Sequence, residues 1–489
     1  MRVLHAASEY QGIAKTGGLA DMVAALSATQ CSQQPGQQPL DIRVCVPAYP
    51  GARSKLIAPR LLTTLHLYGF QISVVEGRLT DTGPLIWLLD CPPLYGRDGD
   101  PYRDASGVEF ADNGLRFGVL GRAVAQLALG DADWKPDIVH LHDWHCALAA
   151  PWLHAQSKRP RLIFTIHNLA HQGLFERAVF DQLDLPPDWW QINGVEFYHQ
   201  LSFMKAGLQF ADFITTVSPT YAHEIQTEMY GCKLEGVLRA RSHVLRGIVN
   251  GIDDDLWNPA IDGDISERYD RHSVARGKLH NKHRLQQQLG LPVSDLPLVI
   301  FIGRLADQKG ADLILAARTA IQKLPLQFVL LGSGDKALEK ACSDWAASNG
   351  KQIKAILKVD ERIAHQLTAA ADLQIMPSRF EPCGLNQMYA QRYGTIPIVR
   401  HTGGLADTVT DTTATTLQNH TATGVHFEHA DVGGVLYGIQ RGLELVGDNT
   451  LRDALRSNGM QRDFSWRKSA QQYLQLYRDA LASNTNATT

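Results

Sequence analysis

The sequence predicts an α/β chain of two Rossmann-like, doubly wound domains facing an interdomain cleft. Apolar, strand-like runs alternate with helix-forming runs through both halves, the pattern of βαβ units around a parallel sheet covered on both faces. The hexapeptide Thr-Gly-Gly-Leu-Ala-Asp occurs at 16–21 and again at 402–407, each time after a strand-like run and at the start of a helix. A chain of 489 residues also exceeds what one hydrophobic core supports.

The apolar run at 2–6 reads as the first strand, and it is too short for a signal-peptide core. Ser8-Glu9-Tyr10 and Lys15 lead from it into a helix at about 17–30. After a polar stretch at 32–39, strands are expected at 41–47, 71–75 and 85–89, then a helix at about 109–129. Strands at 138–141 and 162–166, a helix from Trp144 onward, a helix around 196–210 and a strand at 213–217 continue the alternation. Beyond 243–252 the pattern loosens into an acidic stretch, 253–270, which marks the crossing between domains 1–252 and 253–465. The second half restarts with strands at 299–303, 328–332 and 353–357 and helices at 311–324, 337–347 and 363–371. A strand at 373–376, a helix at 385–393, a strand at 395–400 and a helix opening at Gly403 complete it. The last helix, 466–483, spaces Tyr473, Leu474, Leu476 and Tyr477 helically and is expected to pack back on the first domain. The end, 484–489, is expected to fray.

Composition narrows the class. Lys and Arg number 47 against 50 Asp and Glu, a net charge of -3, so no polyanionic partner such as nucleic acid is indicated. The seven cysteines include no C-x-x-C pair, which favours reduced thiols in a cytoplasmic setting over a disulfide framework. With no run near 18 apolar residues, no membrane span is expected.

Several clusters could carry chemistry. Glu381 follows a strand that stops at Pro377-Ser378, and the next strand runs into Thr402-Gly403-Gly404 at a helix start, where bare amides favour phosphate. The blander reading, a good helix cap used in two unrelated places, is the less favoured of the two. Arg304 and Lys309 flank the loop after the strand 299–303; such cations can neutralise a departing diphosphate without a metal. His140, His142 and His145 with Asp143 form the densest polar cluster and invite a zinc reading, although the order is wrong for the usual metallohydrolase array. His167 ends the neighbouring strand and, with Asp143, is expected to line the cleft. Asp253-Asp254-Asp255 satisfies a D-x-D pattern, though three acids in a linker are usually only solvated. No P-loop is present.

At these residues the chain resembles the bacterial glycogen synthases of glycosyltransferase family 5, the group that includes plant starch synthases. The matching motifs run nearly end to end: K-T-G-G-L-A-D at 15–21, H-D-W-H at 142–145, T-I-H-N-L-A-H-Q-G at 165–173, V-N-G-I-D at 249–253, Q-K-G at 308–310 and S-R-F-E-P-C-G-L at 378–385. The resemblance implies a GT-B fold, no metal or other cofactor, ADP-glucose as donor and glucose added with retention to the non-reducing end of an α-1,4-glucan such as glycogen. It also implies roles. Arg304, Lys309 and Lys15, with amides at Gly17, Gly18, Thr402, Gly403 and Gly404, would serve the diphosphate. Glu381 would hold the ribose; Asp143, His167 and Asn250 would face the transferred glucose; Glu9 would approach the acceptor; Cys383 would pack beside Glu381. From the residues alone, the choice between ADP- and UDP-glucose stays open, as does a catalytically weak, glucan-binding role for the same fold.

Overall fold

The computed structural model describes residues 1–32, 39–358 and 360–483. Residues 33–38 of the polar stretch, and the terminal 484–489 expected to fray, lie outside the described residues. The chain divides into two units: Met1–Val217, Ala222–Gly251 and the segment from Trp466 onward form the first, and Ser218–Tyr221 with Ile252–Ser465 form the second. Among the described residues no helix is long and apolar enough to cross a membrane.

The first unit contains β1 (Arg2–Ala6), β2 (Asp41–Pro47), β3 (Ile57–Leu67), β4 (Phe70–Arg78), β5 (Leu85–Asp90), β6 (Ile138–His142), β7 (Arg161–Ile166), β8 (Leu174–Phe175), β9 (Glu196–Phe197), β10 (Gln200–Ser202), β11 (Phe213–Thr216) and β12 (Leu245–Gly247). Nine of them form one sheet in the order β12-β11-β7-β6-β1-β2-β5-β4-β3. Its centre is parallel, and all five residues of β6 are buried, as in a strand covered on both faces. The order reverses beside β1: later strands first add on the β2 side and then on the β6 side. The carboxyl ends of β1 and β6 therefore frame a topological switch point, where open α/β sheets bind ligands.

Two features depart from the expected pattern. The sheet ends in an antiparallel arm, β3 to β5, and β3 was not foreseen. It is an edge strand whose Ile57 and Leu61 face solvent, so its alternation is blurred; Tyr68 (φ 51°) and Gly69 (φ 80°) turn it tightly into β4. The helix expected at 196–210 starts only at Phe203: residues 196–202 are the hairpin β9–β10, which pairs with β8, and Tyr198 and His199 turn it with φ of 49° and 65°. Ser202 then caps the helix Phe203–Phe210 by accepting from the Lys205 amide. The helices Gly18–Cys31 and Trp466–Ala482 pack on each other, and their Gln30 and Tyr477 reach His5 of β1 and His140 of β6.

The second unit carries a six-stranded parallel sheet built from β13 (Leu298–Ile302), β14 (Gln327–Leu331), β15 (Ile353–Ile356), β16 (Leu373–Met376), β17 (Ile396–Arg400) and β18 (Val425–Phe427). The order β15-β14-β13-β16-β17-β18 puts its switch point between β13 and β16. Residues 410–463, unassigned from sequence, supply β18 and the helices Val432–Gly447 and Asn449–Met460. Glycines let the first of these lie close to the sheet: a Cβ at Gly438 or Gly442 would come within 2.7 Å of Ile398. A hydrophobic core on one face gathers Ile314, Phe328, Ile398 and Ile439, and a smaller one on the other gathers Leu285, Ile300, Val329 and Leu367.

Candidate active site

The loop after β1 is held by Glu9. This buried carboxylate accepts from the Thr16 amide at 2.6 Å, the Thr16 hydroxyl at 2.5 Å and the Gly17 amide at 3.3 Å, and the Tyr102 hydroxyl donates to it as well. Both carboxylate oxygens thus shape Lys15-Thr16-Gly17. Gly17, extended at φ -158°, precedes the helix Gly18–Cys31, whose start has no side-chain cap. A Cβ at Gly17 or Gly18 would meet nothing within 4 Å. The Lys15 ammonium lies 2.8 Å from Asp21, both half-exposed.

Asp143, at the carboxyl end of β6, has φ 60°, a strained value for a non-glycine residue and one found preferentially at functional positions. Its Oδ1 accepts from the His167 amide at 2.8 Å, and burial raises its pKa to about 7 against the lowering effect of the His167 and Asn168 amides. His167 ends β7, and its Nε2 sits 3.2 Å from His142 Nδ1. Burial draws its pKa down to about 3, so it is neutral at physiological pH. Asn250 is buried, and its Oδ1 has no hydrogen-bond partner among the described residues.

The zinc reading of His140, His142 and His145 does not match the placement of these rings. His145 turns away to stack on Tyr102 at 4.8 Å and meets Phe117 edge-on. The histidines that do converge are His5, His140 and His142, and every ring nitrogen of the three is hydrogen-bonded to another side chain. Asp253, in the D-x-D stretch, accepts from the amides of Asp255 and Leu256 and so caps a turn.

In the second unit, the switch point brings together the loops after β13 and β16. Lys309 Nζ lies 2.5 Å from Glu381 Oε2, which also accepts from the Ser378 hydroxyl at 3.0 Å. Glu381 is 4% exposed, so the pair is largely shielded from water. Arg304 is exposed; its guanidinium donates to Gln308 at 3.2 Å and forms no salt bridge among the described residues. Arg379 joins the two loops, binding Asp312 through both nitrogens at 2.8 and 2.7 Å while its amide donates to the Gln308 carbonyl. Gly310, at φ 70°, completes the fit: a Cβ there would lie 2.2 Å from the Pro377 carbonyl oxygen.

The second Thr-Gly-Gly copy is used differently from the first. The Gly404 amide, expected to face phosphate, donates to the Glu381 carbonyl at 3.0 Å, and a Cβ there would lie 2.1 Å from the Cys383 oxygen. Gly404 is therefore a close-approach residue that fixes the Glu381 loop. Thr402 is fully buried and Gly403 adopts φ 44°. Cys383 is buried, and its carbonyl accepts from Gln387.

Family profiles match both halves: "Starch synthase catalytic domain" over residues 2–240 and "Glycosyl transferases group 1" over 282–461. A protein named glycogen synthase 1 from Methylococcus capsulatus is 45% identical over 486 residues, 99% of this chain and 97% of its own length. A glycogen synthase from Dechloromonas aromatica is 46% identical, covering 99% of each chain.

The chain belongs to the glycogen and starch synthase family.

Like other members of that family it is a glycosyltransferase with the two-domain GT-B fold. The structure of the catalytic domain of starch synthase IV from Arabidopsis thaliana, bound to ADP and acarbose, superposes with a TM-score of 0.88 at 33% identity, covering 98% of this chain and 99% of that one. Sucrose-phosphate synthase from Thermosynechococcus elongatus, 18% identical with a TM-score of 0.61, shares the fold. Beyond the family motifs, the structure adds Tyr102, Ser378 and Arg379 as residues that orient Glu9, Glu381 and the Lys309 loop. Arg379 and Ser378 stand inside a quoted motif, whereas Tyr102, 93 residues from Glu9, leaves no local signal.

Proposed function

We propose that this glycosyltransferase transfers glucose from ADP-glucose to the non-reducing end of an α-1,4-glucan, with retention, and so elongates glycogen. The observation that carries the reading is the meeting of Lys309 with Glu381 at the switch point of the second unit, with Arg304 on the same loop. In the reaction the bond from the anomeric carbon to the β-phosphate oxygen breaks, and its electron pair passes to ADP. Negative charge grows on the diphosphate, and Lys309 and Arg304 neutralise it. The C4 hydroxyl of the terminal glucose forms the new bond, and its proton passes to the departing β-phosphate oxygen of ADP.

Glu381 serves the ribose hydroxyls in this scheme, and its pairing with Lys309 keeps the cation oriented before donor arrives. Asp143, His167 and Asn250 serve the glucosyl group in this scheme, and Lys15, the amides of Gly17 and Gly18, Thr402 and Gly403 are assigned to the diphosphate. The seven free cysteines fit a reducing, cytoplasmic setting. The test supplies ADP-glucose and glycogen and measures both ADP release and chain length, with UDP-glucose in competition. Release of ADP with lengthened chains is expected. Binding of glucan without release of either nucleotide would replace the reading with a catalytically inert one.

A further inference from the structure

The first unit buries a continuous run of polar side chains, of which only the His167 end has a part in the chemistry above. His167 Nε2 is 3.2 Å from His142 Nδ1, His142 Nε2 is 3.0 Å from His5 Nδ1, and His5 Nε2 is 2.8 Å from Gln30 Oε1. The amide nitrogen of the same Gln30 donates to the Tyr477 hydroxyl at 3.3 Å, and that hydroxyl lies 2.7 Å from His140 Nδ1. His140 Nε2 in turn reaches the Thr165 hydroxyl at 2.6 Å. His5, His140 and His142 are completely buried and Gln30 is 6% exposed, so water does not compete for the links among them, whereas His167 is half-buried at the open end of the run.

Desolvation keeps the rings uncharged: His5 falls to about 4 and His167 to about 3, with His140 and His142 held well below the usual histidine value. A neutral imidazole carries one N–H and one bare nitrogen, so each link dictates the next. The Gln30 oxygen only accepts; His5 therefore bears its hydrogen on Nε2 and offers a bare Nδ1. His142 must donate to that nitrogen from Nε2, which leaves its own Nδ1 bare. His167 must then donate from Nε2 and keep Nδ1 as an acceptor. Turning the Gln30 amide over would exchange its oxygen and nitrogen and reverse every hydrogen along the run. On the other arm, Tyr477 accepts from Gln30, donates to His140 Nδ1, and leaves His140 Nε2–H for Thr165, in agreement with the same amide orientation.

We propose that Gln30 is a positioning residue for His167: its buried amide, acting through His5 and His142, selects the Nε2-protonated tautomer of His167 and fixes the ring. The proposal rests on the reading of His167 as a residue that meets the transferred glucose. An imidazole without such a partner exchanges between two tautomers, and only one of them presents a lone pair at Nδ1.

The test uses the full-length protein labelled with ¹⁵N in histidine, read by long-range ¹H–¹⁵N correlation near pH 7.5, together with steady-state kinetics. In the unmutated protein His167 is expected to be protonated at Nε2 alone. In Gln30→Met, nearly the same size but unable to accept or donate, the two ring nitrogens should move to averaged shifts, and kcat should fall roughly tenfold or more with KM for ADP-glucose little changed. Tyr477→Phe cuts only the His140 arm and should leave the His167 tautomer intact. If Gln30→Met does not fold, His5→Phe interrupts the same arm one link later and is read by the same shifts. A hydrogen on Nδ1 of His167 in the unmutated protein, or an unchanged tautomer in both Gln30→Met and His5→Phe, overturns the proposal. Failure of the unmutated protein to release ADP would instead defeat the reaction scheme and leave the tautomer result standing.

Discussion

Replacing Asp143 by asparagine is expected to stabilise the fold in a strongly pH-dependent way while removing activity. Burial lifts the Asp143 carboxyl from 3.8 to about 7, so the folded protein holds a proton over a range in which the unfolded chain has released it. The sign follows from linkage: stability falls as pH rises from about 4 to about 7 and is flat above that. At 1.36 kcal/mol per pKa unit, the ionised form is disfavoured by about 4 kcal/mol at pH 8. Asparagine carries no charge at any pH, and its Oδ1 can keep the His167 amide hydrogen bond that Asp143 makes at 2.8 Å. Calorimetry of Asp143→Asn and the unmutated protein should therefore give similar melting temperatures near pH 4.5 and a variant higher by about 10 °C at pH 8, taking 2–4 °C per kcal/mol for a unit of this size. Glucose transfer should drop by roughly 10² or more, because the side chain proposed to face the transferred glucose can no longer ionise. An equal shift at both pH values, or a variant that melts lower at pH 8, would refute the argument that a buried charge is held here against its preference.

Lys309→Ala is expected to lower turnover by roughly 10² or more, and a normal rate in that variant would show that the cation has no part in ADP departure. Gly310→Ala should destabilise the second unit by about 2 kcal/mol or more in urea unfolding, since it forces a side chain into φ 70° and into the Pro377 carbonyl; Gly17→Ala, extended and facing open space, should change stability by less than about 1 kcal/mol. Activity should survive excess EDTA, and its loss would return a metal to the mechanism.

The parallel centre of each sheet was legible because its strands are buried on both faces: β13 reads as an unbroken apolar run, and β6 as an apolar run broken only by His140 and His142. The switch-point loops were legible too, since glycine and charge follow those runs directly. The edge strand β3 and the hairpin at 196–202 were not: many of their residues are exposed, and their turns put the non-glycine residues Tyr68, Tyr198 and His199 at positive φ, which sequence patterns seldom mark. The helix Val432–Gly447 escaped because glycine lowers helix propensity where close packing needs it. Among the site residues, the loop cations and Glu381 could be placed from their strand ends. Gly404 could not, because its neighbour Glu381 takes the amide, and the identity of the two hexapeptides hides their different surroundings. The histidine run is invisible locally, since Gln30 and Tyr477 stand 447 positions apart.

That separation has a consequence for how the molecule is made. The helix Trp466–Ala482 belongs to the first unit and packs on Gly18–Cys31, so that unit is completed only after the second has been synthesised. At about 5–20 residues per second, some tens of seconds pass while the second unit is synthesised. During that interval His140 lacks the Tyr477 hydroxyl and the apolar side chains meant for Tyr473 and Leu476 lie uncovered. Synthesis of Trp466–Ala482, rather than emergence of the sheet itself, therefore sets the moment at which the core of the first unit closes.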